Sequence, residues 1–335
     1  RFNASVYHAL RLIHMRIFDA HLDLAWNATQ RGRDVTRPAA EQPYVDNETA
    51  TVGLPDLRRG GITGVCATLF ADPDHTTPVR AQARAQLDWY HACADIHIVR
   101  TADDLDVTDR LPAVLLMEGA DPIEAPTDVA WWFERGLRMV GLAWADTRYA
   151  GGTGHPGPLT DAGRQLVAEL DRVGILHDAS HLAERALDDL FDATDRPICA
   201  SHSNCRSIVG DDPRGRHLPD RQIQTILDRG GVVGTVFFDR FLLPAAEHGT
   251  RRADLADVVA HIRKVCDLAG NAEQAGIGTD MDGGLGREHI PQQIATSADL
   301  PQLADALADA GFDDTAIAGI MGNNWHRWFA RHLPS

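Results

Sequence analysis

The sequence predicts an α/β protein built as a TIM (β/α)8 barrel, and three observations carry that expectation. Eight short apolar runs alternate with stretches of helical periodicity along most of the chain. The 335 residues, 44% of them apolar, suffice to bury a barrel-sized core. Residues with chemical capability follow runs one, three, five, six and eight, a spread that suits a ring of strands better than the single switch point of a doubly wound open sheet.

In chain order, the strand-like runs occupy residues 16–25, 62–71, 113–120, 139–145, 174–180, 198–203, 231–238 and 276–282. Between them, amphipathic spacing predicts helices over 81–93, 160–173, 183–191, 219–229 and 252–268. Three further helical patterns, 301–310, 313–321 and 323–332, are expected to pack on the barrel exterior. Residues 31–61 carry scattered charges, Pro38, Pro43 and Pro55, and little periodicity, which reads as a long loop over the active face. Residues 1–14 read as an N-terminal extension outside the catalytic argument, and 15–335 as a single catalytic domain. No internal repeat, low-complexity tract or linker divides the chain.

Composition excludes several function classes. A net charge of −16 would repel nucleic acid and anionic membrane surfaces, so neither is expected as a partner. Lys264 is the only lysine and lies in a helical stretch, which rules out a Walker lysine, a Schiff-base lysine or a modified lysine bridging two metals. The five cysteines are an odd number without a CxxC pair and read as reduced core thiols. No uninterrupted apolar run reaches membrane-spanning length, and residues 1–14 lack the long apolar core of a secretory signal, so a cytoplasmic protein is expected.

Five potential metal ligands sit at or just past the ends of apolar runs: His21 and Asp23 in FDAHLD, Glu118 in LLMEG, His181 in HDASH and His202 in ASHSN. Strand alternation places His21 and Asp23 on one face, where one metal can hold both. Glu118 ends the run Val114-Leu115-Leu116-Met117, where a carboxylate is costly to bury unless protonated, paired or metal-bound. Two neutral imidazoles, His181 and His202, with a shared carboxylate suit a second zinc. His177 lies four residues before His181, so alternation leaves both open as the inward residue; position at the rim favours His181, with His177 in the core. Asp280 and Asp282 in GIGTDMDGG close the eighth strand among glycines, and an unmetallated carboxylate there suits proton shuttling. Gathered on one rim, these residues read as a two-metal hydrolase.

The segments DAHLDLAWN, the EG of LLMEGAD, LTDAGRQLVAELDRVGILHDASH, SHSN, Arg216-His217-Leu218-Pro219-Asp220, GTDMDG and GNNWHRWF together make the chain similar to the membrane (renal) dipeptidase family, the M19 metallopeptidases, over residues 16–331. The resemblance implies an amidohydrolase-like TIM barrel with two zinc ions, His21 and Asp23 binding one, His181 and His202 the other, and Glu118 bridging them. It also implies that Arg216 binds the substrate carboxylate and that Asp280 handles the proton. Relatives place a substrate-binding histidine after the fourth strand, in an LTH segment. This chain has Leu142-Ala143-Trp144 there, so Trp144 is expected either to wall the pocket or simply to pack. His217 stands beside Arg216 in place of a common asparagine. The chain ends WFARHLPS, without the hydrophobic tail of a lipid-anchor signal, and membrane attachment is not expected.

The expected activity is dipeptide hydrolysis by a hydroxide bridging two zinc ions, with Glu118 and Asp280 as catalytic carboxylates and Arg216, Asp280 and Trp144 facing a small dipeptide-like substrate. The alternatives are a deacylase of N-acyl amino acids, a related hydrolase of a lactone or cyclic amide, and a catalytically silent metal-binding scaffold. A homodimer is left open.

Overall fold

Parallel strands covered on both faces have no use for polar alternation, and the strands here are apolar almost throughout. A computed structural model describes residues 15–335; the extension proposed for residues 1–14 lies outside the described residues. The strands are β1 (Ile17–Leu22), β2 (Ile62–Phe70), β3 (Ile96–Ile98), β4 (Leu111–Glu118), β5 (Leu137–Gly141), β6 (Ala150–Gly152), β7 (His155–Leu159), β8 (Leu176–Asp178), β9 (Ile198–Cys199), β10 (Val233–Thr235) and β11 (Ala275–Ile277). Eight of them run parallel in the order β10-β11-β1-β2-β4-β5-β8-β9. A parallel bridge between Ala200 and Val233 brings the end of β9 against β10 and closes the ring. Gly234 N donates to Ala200 O across that seam at 2.8 Å. All eight apolar runs of the sequence are barrel strands, and the fold is the expected TIM barrel.

The two faces of the barrel wall bury different sets. Inside, Phe18, Ala20, Cys66, Val114, Leu116, Met139, Leu176 and Cys199 form one cluster. Outside, Val65, Leu115, Met117, Val140 and Ile198 meet the helices. Those helices include Val79–Ala92, Asp161–Val173, Glu184–Ala193, Asp220–Asp228 and Leu255–Ala269, each within a few residues of its expected bounds. Asp161–Val173 begins on an N-cap, where the Thr160 side chain accepts Gly163 N, and ends on Gly174 in the left-handed region, φ 91°.

Three expectations need correction. The last helix, Asn324–His332, does not lie on the exterior: Trp325 and Phe329 belong to the interior cluster and plug the bottom of the barrel. A strand side chain at Gly276 would leave no room, since a Cβ there would lie 2.3 Å from Trp325 Nε1, and that indole N–H donates to Ile277 O at 3.0 Å. Its three apolar aromatic residues, Trp325, Trp328 and Phe329, made this segment too apolar for a surface helix. Secondly, residues 31–61 are not all loop, because Leu54–Arg59 is a helix with Pro55 in its first turn. Thirdly, residues 150–159 hold the antiparallel hairpin of β6 and β7, which the sequence reading omitted.

Candidate metal centre

The C-terminal ends of β1, β4, β8, β9 and β11 bring the candidate residues together. On β1 the inward set changes partway along: Phe18 and Ala20 pack inside, and a register shift between Asp19 and Leu22 turns the wall so that His21 and Asp23 face the site. Glu118 continues the inward parity of Val114 and Leu116. His181 lies at φ 67° and Asp280 at φ 61°, both in the left-handed region that side-chain-bearing residues rarely adopt. Such strain, held by the surrounding fold, marks the rim as a constrained site.

Glu118 stands at the centre. Its Oε1 lies 3.2 Å from His181 Nε2 and 3.4 Å from His202 Nε2, while Oε2 lies 3.6 Å from His21 Nε2. His21 Nε2 is also 4.0 Å from Asp23 Oδ2 and 3.9 Å from Asp280 Oδ1. Ligand atoms of His21, Glu118 and His202 fall within 4.8 Å of one another, as do those of His21, Asp23 and Asp280. All these groups are buried. Arg216 is buried beside them, its guanidinium donating to Ser203 Oγ at 3.2 Å and to His202 O at 2.7 Å. Trp144, at the rim and 36% exposed, places its ring 6.1 Å from that of His181.

The second nitrogen of each outer imidazole is tied down. Thr153, in the turn between β6 and β7, sets Oγ1 3.0 Å from His181 Nδ1. Ser201 Oγ lies 2.8 Å from His202 Nδ1 and donates to Asp178 Oδ2, so it accepts from the ring. Thr153 Oγ1 donates in turn to His181 O at 3.4 Å, which leaves its oxygen to accept from His181 Nδ1, so both rings carry their proton on Nδ1 and turn an Nε2 lone pair toward Glu118. Burial pushes His181 down to about 4, helped by Arg216, and His202 well below its usual range, helped by His21. His21 behaves oppositely: burial opposes its charge, but Glu118, Asp23 and Asp280 outweigh it and hold the imidazole at about 10. Burial raises Asp280 well above the usual carboxylate range, with Asp23 and Glu118 adding to the effect. Burial also lifts Asp23 to about 6.

These residues fit a metal site. Neither ring nitrogen of His21 has a hydrogen-bond partner among the described residues, although the ring is fully buried. Three carboxylates crowd this imidazole, and imidazole nitrogen with carboxylate oxygen is the donor set that zinc takes.

A family profile described as membrane dipeptidase (peptidase family M19) matches residues 8–332. The chain belongs to the membrane dipeptidase family. That makes it a hydrolase of the metallo-dipeptidase type, with the metal dependence the family carries. Two crystal structures of family relatives superpose closely. A metallopeptidase of family M19 called dipeptidase AC has TM-score 0.80 at 28% identity, covering 96% of this chain and 99% of its own. A metallopeptidase from Rhodobacter sphaeroides, solved with a phosphinate mimic of the dipeptide L-Ala-D-Ala, has TM-score 0.80 at 26% identity, covering 95% and 99%. A Klebsiella pneumoniae protein described as an uncharacterised protein in the pqqA 5′ region is 29% identical over 71% of this chain and 89% of its own length. The match spans less of two fungal dipeptidases, 52% and 55% of their lengths.

In this membrane dipeptidase family member, His177 is a core histidine, its Nε2 2.6 Å from Asp171 Oδ1 on the outer helix. Asp282 is not at the metal cluster. Its carboxylate accepts Thr51 N, Thr51 Oγ1 and Val52 N and pairs with the buried Arg33 at 3.2 Å, anchoring the 31–61 segment. Sequence reasoning missed Asp178, Ser201 and Thr153. Asp178 and Ser201 flank His177 and His202 within motifs already singled out, and the Gly151-Gly152-Thr153-Gly154 turn was a hairpin signal. Thr68 was also missed; its hydroxyl donates to Asp23 Oδ1 from β2.

Proposed function

We propose that the chain hydrolyses the peptide bond of small dipeptides, with His21 and Asp23 holding one zinc ion, His181 and His202 a second, and Glu118 shared between them. The observation that carries this reading is the division of Glu118, one oxygen toward the His181 and His202 pair and the other toward His21. A bound zinc pair supplies an acidified water nucleophile and polarisation of the scissile carbonyl.

The protein's own groups do the rest. Asp280, beside His21 and raised in proton affinity by burial and then by its acidic neighbours, takes the proton of the attacking water on its carboxylate and returns it to the leaving amine. Arg216 is buried with Nε unpartnered among the described residues, and its planar fork suits the free carboxylate of the C-terminal residue, which limits substrates to short peptides. Thr153 and Ser201 keep the two outer imidazoles oriented.

The test is steady-state kinetics of zinc-loaded protein on matched panels of L,L and L,D dipeptides and N-acyl amino acids, with the zinc content counted. Efficient dipeptide turnover at two zinc ions per chain supports the reading. Turnover confined to the acyl amino acids, or of neither panel, overturns it.

A further inference from the structure

An exposed indole at an otherwise buried site calls for an explanation. Trp144, just past β5, is one of two large hydrophobic side chains with much exposed surface among the described residues, the other being Tyr44, 64% exposed. It does not stand alone. Its ring meets Phe70, at the end of β2, with centroids 5.2 Å apart at 66°. Phe70 in turn meets Trp26, in the helix Leu24–Gln30 after β1, at 5.6 Å and 86°. On its other side Trp144 faces the ring of His181. The result is an aromatic arc leading from the rim to the candidate metal cluster.

The arc is preorganised. Phe70 is buried, and its backbone N donates to Gln86 Oε1 at 2.9 Å. The Arg31 guanidinium covers Trp26 at 4.9 Å and is itself held by Glu48 at 2.7 Å. Trp144, backed by Phe70, is therefore the part open to a guest, and an edge-to-face aromatic partner or apolar side chain would cover it.

Ring order tells which end of a substrate arrives there. The arc stands on β1, β2 and β5, whereas Arg216 follows β9 and packs on His202 and Ser203; in the ring β2 lies opposite β9, β1 three strands from it and β5 two. A dipeptide whose terminal carboxylate lies on Arg216 reaches over the cluster toward the arc with its other residue. Resting on the dipeptidase reading above, we propose that Trp144, with Phe70 and Trp26 behind it, selects an apolar, preferably aromatic, side chain on the residue that supplies the scissile carbonyl.

The experiment compares kcat/KM for L-Phe-L-Ala, L-Leu-L-Ala, L-Ala-L-Ala and the reversed L-Ala-L-Phe in zinc-loaded wild type, Trp144→Ala and Trp144→Phe. The wild type should favour Phe-Ala over Ala-Ala, and that ratio should fall about 10-fold or more in Trp144→Ala while Trp144→Phe keeps most of it. The ratio of Ala-Phe to Ala-Ala should not move. An unchanged Phe-Ala ratio in Trp144→Ala, or an equal change for Ala-Phe, overturns the proposal while leaving the dipeptidase reading intact. A wild type that turns over no dipeptide sinks both.

Discussion

The Nε2 atoms of His181 and His202 stand 2.9 Å apart. With Nδ1 of each ring engaged by a hydroxyl, both Nε2 atoms present lone pairs to the same small volume, next to a carboxylate oxygen. Lone pairs so placed repel unless something positive stands between or beside them. Removing metal with a chelator should abolish activity and lower the melting temperature by several degrees, and zinc should restore both. Calorimetry and activity on the same stripped and reloaded samples check this; a stripped protein with an unchanged melting point would speak against a cation among these groups.

Asp280 reaches His21 without a direct hydrogen bond and carries a raised proton affinity. Asp280→Asn should keep the metal content and lower kcat by about 10²-fold, the scale of general acid and base groups. Metal analysis beside kinetics separates a lost proton carrier from a lost ligand.

The buried pair of Arg33 and Asp282 ties the segment after β1 to the turn that carries Asp280. Arg33→Met leaves Asp282 with three hydrogen bonds but no counter-charge, and should destabilise by roughly 3 kcal/mol, the scale for one partner lost from a buried pair. Chemical denaturation measures it.

His261, on the helix Leu255–Ala269, is fully buried and lies away from the metal cluster. Its Nδ1 accepts Cys205 N and its Nε2 donates to Leu242 O. Burial holds it down at about 4, although the bond to Leu242 works the other way. The unfolded chain therefore takes up this proton before the folded one does. Stability should fall as pH drops from about 6.5 to about 4, by up to about 3 kcal/mol for this group, and the fall should end below that window. Comparing the pH slopes of wild type and His261→Gln isolates the contribution: a slope left unchanged by the substitution would count against it.

Trp325→Ala should cost about 3–5 kcal/mol, because it empties a fully buried aromatic site in the barrel interior. A thermal or denaturant midpoint reads it directly.

Most of the barrel was legible because parallel strands covered on both faces leave unbroken apolar runs. Strand ends were less so. The run at 276–282 is strand only over β11, and Asp280 and Asp282 beyond it adopt left-handed turns that hydrophobicity does not encode. The five candidate ligands do converge. Yet alternation could not choose between His177 and His181, since that choice depends on where β8 ends. The hydroxyls that orient the imidazoles escaped notice because serine and threonine partners are set by strand register and by the β6 and β7 hairpin, both products of the tertiary fold.

The placement of Trp325 and Phe329 against Phe18 and Gly276 has a consequence for biosynthesis. Each of the strands β1 to β11 emerges from the ribosome before the helix that fills the floor of the ring, so a nascent chain must hold its half-lined tube open to water until residues 324–332 follow. Products clipped ahead of residues 324–332 would display that lining to chaperones and proteases, which makes this helix a checkpoint for the integrity of the barrel.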